Sequence, residues 1–71
     1  MTLREFAEHR NMSNEQLAAW LAAQVGISRS GARKWVYGER TPRGLQMVRV
    51  LALTDGLVTA NDFLPLAEVA S

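Results

Sequence analysis

Residues 21–35 read LAAQVGISRSGARKW, and this stretch decides the fold. It holds two helix-like runs separated by only about three residues around Gly26, a residue type that readily takes the left-handed conformation at a helix C-cap. Ser28 follows as an N-cap for the second run. Such a tight turn sets two helices at a steep angle, as in a helix-turn-helix. A generic helical hairpin uses the same glycine, so the turn alone leaves that alternative open.

Local signals also define two helices before this turn. Thr2 with Glu5, and Ser13 with Gln16, have the spacing of a capping box, in which side chains bond the free backbone N–H groups of a helix start. Apolar residues after Ser13 recur about every four positions, as on one face of a helix. The predicted helices cover residues 3–10 and 14–24.

Further helices are predicted after the turn. The helix that Ser28 opens should end near Tyr37, because Gly38 follows. Thr41-Pro42 has the pattern of an N-cap followed by proline at the first helical position, and this helix should stop at Asp55-Gly56. Its inward-facing residues are expected to be Leu45, Val48, Leu51 and Ala52.

A last short turn completes an all-α fold. Thr59 and Asp62 are expected to cap this turn, which holds Phe63. The sequence therefore predicts a compact bundle of four to five short helices. A chain of this length forms one domain, over residues 1–64, followed by a short C-terminal tail over residues 65–71.

The composition favours a small binding protein over an enzyme. The 71 residues include no cysteine and one histidine, which excludes disulfides and a metal site of thiolates or several histidines within one chain. The longest apolar run has seven residues, too short to cross a bilayer. No glycine-rich phosphate loop or catalytic triad is evident. We therefore expect a cytoplasmic protein that is not an enzyme, with no cofactor, metal, membrane association or small-molecule substrate.

Positive charge is concentrated in the middle of the chain. Residues 24–50 carry six basic side chains and one acidic one. By contrast, residues 1–23 carry two basic and three acidic side chains, and residues 51–71 carry three acidic ones. A confined basic region suits a polyanion such as nucleic acid. On charge alone, an ordinary solvated surface remains the alternative.

The helix after the turn sorts its residues into two arcs. At about 100° per residue, a polar arc contains Arg29, Ser30, Arg33, Lys34 and Tyr37. The opposite arc contains Gly31, Ala32, Trp35 and Val36, which predicts that Trp35 is buried. The polar arc carries no acid and is rich in groups that hydrogen-bond base edges and phosphates. This pattern favours DNA recognition over a plain solvated face.

The same residues carry a family resemblance. Residues 21–35, followed by GERTP at residues 38–42, resemble the helix-turn-helix signature of the phage repressor/Cro (Xre) family. The stretch ALTDGLVTANDF, residues 52–63, is similar to the end of small Cro-like and YdaS-like members. The resemblance covers residues 2–64. It implies a lambda-repressor-like domain that binds double-stranded operator DNA, usually as a homodimer on a palindromic site.

The resemblance also assigns residues to the DNA interface. The family's base-reading positions correspond to Arg29, Ser30, Arg33 and Lys34. Its phosphate-contacting positions correspond to Ser28, Tyr37, Arg40 and Arg43. In this family, a glutamine often begins the second helix of the domain, the helix before the turn, and contacts a phosphate. Counting back from Gly26 places Ala18 there, whereas matching the start of the helix places Asn14 there, and we assign this backbone contact to Asn14.

Together, these observations predict a sequence-specific transcriptional regulator, a Cro-like repressor acting as a homodimer at a palindromic operator. The residues expected to form the dimer contact, or else to close the monomer core, are Leu57, Val58, Phe63 and Leu64. The alternative is an antitoxin-like module whose main partner is another protein and whose DNA binding serves autoregulation.

Overall fold

Four α-helices and one short 3-10 helix make up the part of the chain that the structure describes. This structure is a computed structural model, and it describes residues 1–63. The elements are α1 (Leu3–His9), α2 (Asn14–Val25), α3 (Arg29–Val36), α4 (Leu45–Leu53) and a 3-10 turn at Ala60–Phe63. No strand occurs within residues 1–63, which confirms the all-α prediction. Leu64 and the predicted tail, residues 65–71, lie outside the described residues.

Both predicted capping boxes are present. At the start of α1, the Thr2 hydroxyl accepts the Glu5 N–H at 3.2 Å, and the Glu5 carboxylate accepts the Thr2 N–H at 2.7 Å. At the start of α2, Ser13 and Gln16 make the equivalent pair of hydrogen bonds at 3.1 and 2.8 Å. Because these bonds are local, the residue spacing alone fixes where the two helices begin.

A three-residue turn, residues 26–28, joins α2 to α3. Gly26 has φ +83° and ψ +36°, the predicted left-handed C-cap, and its N–H donates to the Ala22 carbonyl at 2.9 Å. Ser28 caps α3 by accepting the Gly31 N–H at 3.0 Å. A Cβ atom at Gly31 would lie 3.2 Å from the Ser28 hydroxyl, so glycine leaves room for this cap. The turn packs α3 mainly against α2.

The core lies between the helices and includes the predicted Trp35. The fully or largely buried apolar residues are Leu3, Phe6, Ala7, Leu17, Ala18, Leu21, Ala32, Trp35, Val36, Val50 and Val58. Trp35 is only 6% exposed, which confirms its prediction. Half-buried Trp20 covers the core from α2 and stacks on Phe6, with ring centroids 6.4 Å apart.

α4 begins three residues later than predicted. The sequence places its N-cap at Thr41 and its first residue at Pro42, but the helix starts at Leu45. Gly44 precedes it with φ +53° and ψ −124°, a conformation that residues with a Cβ rarely adopt. This backbone break prevents the helix from extending back to Pro42, whose ring is instead buried.

α4 also presents the opposite face to the one predicted. Leu45, Val48 and Leu51 are 80%, 59% and 41% exposed, and Ala52 is exposed as well. The inward face instead carries buried Val50, with Met47 and Leu53 partly buried. Because the helix is apolar on most of its circumference, its period does not identify the buried side.

The segment after α4 closes the core beside that inward face. Thr54 is fully buried, and its hydroxyl donates to the Val50 carbonyl at 2.8 Å and accepts the Val58 N–H at 3.2 Å. Val58 is itself fully buried, so it closes the monomer core and is not available for a dimer contact. Asp62 caps the last turn as predicted, accepting the N–H and hydroxyl of Thr59 at 2.8 and 3.1 Å.

Candidate nucleic-acid interface

α3 presents a polar face to solvent, as its two-arc pattern predicts. Ala32, Trp35 and Val36 are buried in the core. The residues exposed on the other face are Arg29, Ser30, Arg33 and Tyr37, with Lys34 half-buried beside them. The helix is therefore held by its apolar face, while its cationic face remains accessible to a ligand.

An open groove of about 890 Å³ lies beside α3, bounded by the chain that leads into α4. Five predicted site residues line it: Ser28, Ser30, Lys34, Arg40 and Arg43. Ile27, Trp35 and Phe63 supply apolar lining, and Glu39 is an acidic residue in the wall. We call this feature the basic groove. It brings together residues that are up to 36 positions apart in the sequence, from Ile27 to Phe63.

The chain after α3 folds back on the helix end and thereby places Arg40 in the basic groove. Gly38 makes this possible with φ +76°. The N–H groups of Glu39 and Arg40 both donate to the Lys34 carbonyl, at 2.8 and 3.2 Å. These bonds satisfy a carbonyl at the helix end, and they hold the Arg40 backbone next to that of Lys34.

Among residues 1–63, three cations line the basic groove against one acidic side chain, Glu39, so the groove keeps an excess of positive charge. Within residues 1–63, none of Lys34, Arg40 and Arg43 forms an ion pair; the pairs present involve Arg10, Arg33 and the terminal ammonium. Uncompensated cations of one sign in a concave surface attract anions and raise their local concentration. The groove is thus suited to a ligand that carries several negative charges.

Two further predicted residues, Arg33 and Tyr37, lie together against α2 and do not line the basic groove. The Arg33 Nε atom is 3.3 Å from a Glu15 carboxylate oxygen. The Tyr37 hydroxyl donates to the same oxygen at 3.1 Å. Arg29, the first residue of α3, is exposed and is also absent from the groove lining.

Asn14 occupies different surroundings from the other predicted residues. It lines a shallow depression with Thr2, Arg4, Glu5 and Glu8. The backbone N–H of Thr2, and then its hydroxyl, hydrogen-bond the Glu5 carboxylate and lower the pKa of Glu5 below its ordinary value of 4.5. Two carboxylates and one arginine line this depression, so its charge is opposite in sign to that of the basic groove.

Sequence reasoning missed two residues that shape this surface. Gln46, near the start of α4, lines the basic groove. Glu15 bonds Arg33 and Tyr37 from the first turn of α2. No local pattern signals Glu15, because its contact with Arg33 depends on how α2 crosses α3.

Other site types are not represented among residues 1–63. No group of three or more His, Asp or Glu side chains is placed to hold a metal ion there. In the same part of the chain, no helix has the length and apolar character needed to cross a membrane. Comparisons with protein-family models, curated proteins and solved structures find no match to this chain.

Proposed function

We propose that this protein is a sequence-specific, double-stranded DNA-binding transcriptional regulator, a Cro-like repressor that acts by occupying a palindromic operator. One observation carries the proposal: the basic groove joins Ser30 and Lys34 of α3 to Arg40 and Arg43 of the following segment. Such a surface combines hydrogen-bonding side chains on a helix with cations for the phosphate backbone. Both are needed for specific recognition of a duplex.

The exposed face of α3 supplies the base contacts. An α-helix with its side chains is about 10–12 Å wide, which matches the width of the B-DNA major groove. Arg29 lies at the first position of α3, the end that enters the major groove first in a helix-turn-helix. Arginine donates two parallel hydrogen bonds to guanine, and serine and lysine also reach base edges.

The segment beyond α3 supplies the backbone contacts. Arg40 and Arg43 are exposed and line the basic groove next to the helix. Neutralising phosphates with such side chains releases bound counterions and gives affinity that does not depend on sequence. Ser28 adds a hydroxyl at the opposite end of α3, so the backbone contacts flank the reading helix.

The regulator acts as a homodimer, because two copies are needed to read a two-fold operator with half-sites one helical turn apart. Of the described residues expected at this contact, Val58 is buried, Phe63 is half-buried and Leu57 is 38% exposed, so we assign the contact mainly to α4. Leu45, Val48 and Leu51 instead form an exposed apolar face on α4.

The exposed face of α4 also supports the alternative, an antitoxin-like module that binds another protein. Three large apolar side chains exposed on one short helix are typical of a protein contact surface. In that case the partner would cover Leu45 and Leu51, and the basic groove would serve only autoregulation. In a repressor, the basic groove makes the tightest contact, with DNA. In an antitoxin-like module, the exposed face of α4 makes it, with the partner protein.

Selection of bound sequences from a pool of random duplexes tests the proposed function. The wild-type protein should enrich a two-fold symmetric consensus. Arg43→Ala should lower the yield of bound duplex. Arg4→Ala, which removes an exposed arginine of α1, should enrich the same consensus as the wild type. If the wild type enriches no sequence and binds no duplex, the proposed function is wrong and the protein-binding alternative replaces it.

A further inference from the structure

Glu15 on α2 holds two side chains of the predicted reading helix at once. One carboxylate oxygen lies 3.3 Å from Arg33 Nε and accepts the Tyr37 hydroxyl at 3.1 Å. The side chains of Arg33 and Glu15 are 54% and 49% exposed. The cluster of Glu15, Arg33 and Tyr37 therefore lies at the accessible surface, at the junction of α2 with the polar face of α3.

This cluster contributes little to the stability of the fold. Ion pairs that remain half exposed are screened by water and gain little net free energy, because ordering two long side chains offsets the attraction. Glu15 does, however, restrict where the guanidinium of Arg33 can lie. The contact engages the Nε edge of that group and leaves its terminal nitrogens with donors for another acceptor.

An acidic side chain on a surface that binds a polyanion has an electrostatic cost. A carboxylate near phosphates repels them, and an arginine already paired with a carboxylate attracts phosphates less than an unpaired one. Glu15 therefore lowers affinity for every duplex alike. Its contact with Arg33 gives a compensating benefit only if a fixed arginine is needed to distinguish one base sequence from another.

We propose that Glu15 is a positioning residue for sequence discrimination, an inference that rests on the proposed function. It orients Arg33 and Tyr37 for contacts with the correct duplex and prevents Arg33 from acting as an indiscriminate phosphate ligand. Glu15 touches no base itself in this arrangement and acts only through the two α3 side chains. The Glu15 contact thus lowers affinity for all duplexes and raises the ratio of specific to nonspecific affinity.

The test compares Glu15→Ala with wild type on two duplexes, the one that wild type enriches from a random pool and a scrambled version. Glu15→Ala should bind the scrambled duplex more tightly, with a log–log salt slope steeper by about 0.9 because Arg33 is free to contact one more phosphate. Its ratio of specific to nonspecific affinity should fall by about fivefold or more, the effect of misplacing one base-contacting arginine. The matched control is Glu8→Ala, which removes an exposed carboxylate of α1 that has no contact with α3.

A double-mutant cycle separates positioning from a structural effect. In an Arg33→Ala/Tyr37→Phe background, Glu15→Ala should leave the discrimination ratio unchanged, because both groups that Glu15 contacts are missing. Two results would overturn the inference while leaving the proposed function intact. One is that Glu15→Ala loses affinity equally for both duplexes and has a lowered Tm. The other is that Glu15→Ala keeps the wild-type ratio of specific to nonspecific affinity. If wild type enriches no duplex, both the proposed function and this inference are wrong.

Discussion

Arg29 and Arg43 are expected to contribute to binding in different ways. Arg29 is the first residue of α3, is exposed and forms no ion pair within residues 1–63, so its truncation removes little besides ligand contacts. Arginine and alanine both favour helices, so folding stability should change little. Losing a bidentate contact to guanine costs about 1–3 kcal/mol, which is about 5- to 150-fold in affinity for the correct duplex. Binding to a scrambled duplex should be much less affected.

Arg43 lies in the segment before α4 and lines the basic groove, where we expect a phosphate. Arg43→Ala should weaken every duplex by a similar factor and reduce the log–log salt slope by about 0.9. The assay is titration of each variant against the selected and scrambled duplexes at four or more salt concentrations. Equal losses on both duplexes for Arg29→Ala, together with a loss confined to the selected duplex for Arg43→Ala, would refute this division of roles.

Three further predictions concern the scaffold and its assembly. Thr54→Val leaves the buried Val58 N–H without an acceptor and should lower the free energy of unfolding, measured in urea, by about 1–3 kcal/mol. Thr54→Ser keeps the hydroxyl and should lower it less; an equal loss in both variants would contradict this role. Burial raises the pKa of Asp62, but hydrogen bonds from Thr59 and the terminal ammonium outweigh it and hold that pKa below its ordinary value of 3.8. The stability that Asp62 contributes is therefore present above this value and is lost as pH falls through the folded-state pKa, so the Tm of Asp62→Asn should fall less on acidification than that of wild type. In sedimentation, the protein mass bound to the selected duplex should be twice the 7.9 kDa mass of one chain, and Leu45→Glu should reduce the bound mass to that of one chain. One wild-type chain per duplex would exclude the homodimer.

The parts of the fold that depend on local chemistry were predictable from the sequence. The capping boxes at Thr2 and Ser13 involve residues three apart, so their spacing is enough to locate two helix starts. α2 ends at Gly26, which has a positive φ. Because glycine readily adopts this conformation at a helix end, its place after the apolar pattern predicts where α2 stops. The two arcs of α3 likewise identified Trp35 as buried, since this helix separates polar from apolar residues cleanly.

The orientation of α4 could not be read in the same way. Its apolar residues cover most of the helix, so a stripe through Leu45 and Val48 looks as suitable for burial as one through Val50. The choice is made by tertiary packing, in which Val50 joins the common core and α4 packs against α2. The predicted start of α4 at Pro42 was also wrong, because the backbone conformation of Gly44 interrupts the helix there.

Sequence reasoning located the surface of the candidate site better than its internal contacts. The cationic arc of α3 followed from composition and helical period, and five of the assigned residues line one groove. The contact of Glu15 with Arg33 joins residues eighteen positions apart and depends on how α2 crosses α3, which no local pattern specifies. Asn14 was assigned by aligning the start of α2, and the structure places it beside Glu5 and Glu8 instead.

Mapping by NMR tests whether DNA binds at the polar face of α3 and the basic groove. The measurement follows backbone N–H signals of the 15N-labelled protein during titration with the selected duplex, and with a scrambled duplex as the control. We expect the largest shift changes at Arg29, Ser30, Lys34, Arg40 and Arg43, with smaller changes for the scrambled duplex and little change along α1. Signals that do not move with either duplex, or that move only on the exposed face of α4, would contradict the assignment of DNA binding to the basic groove.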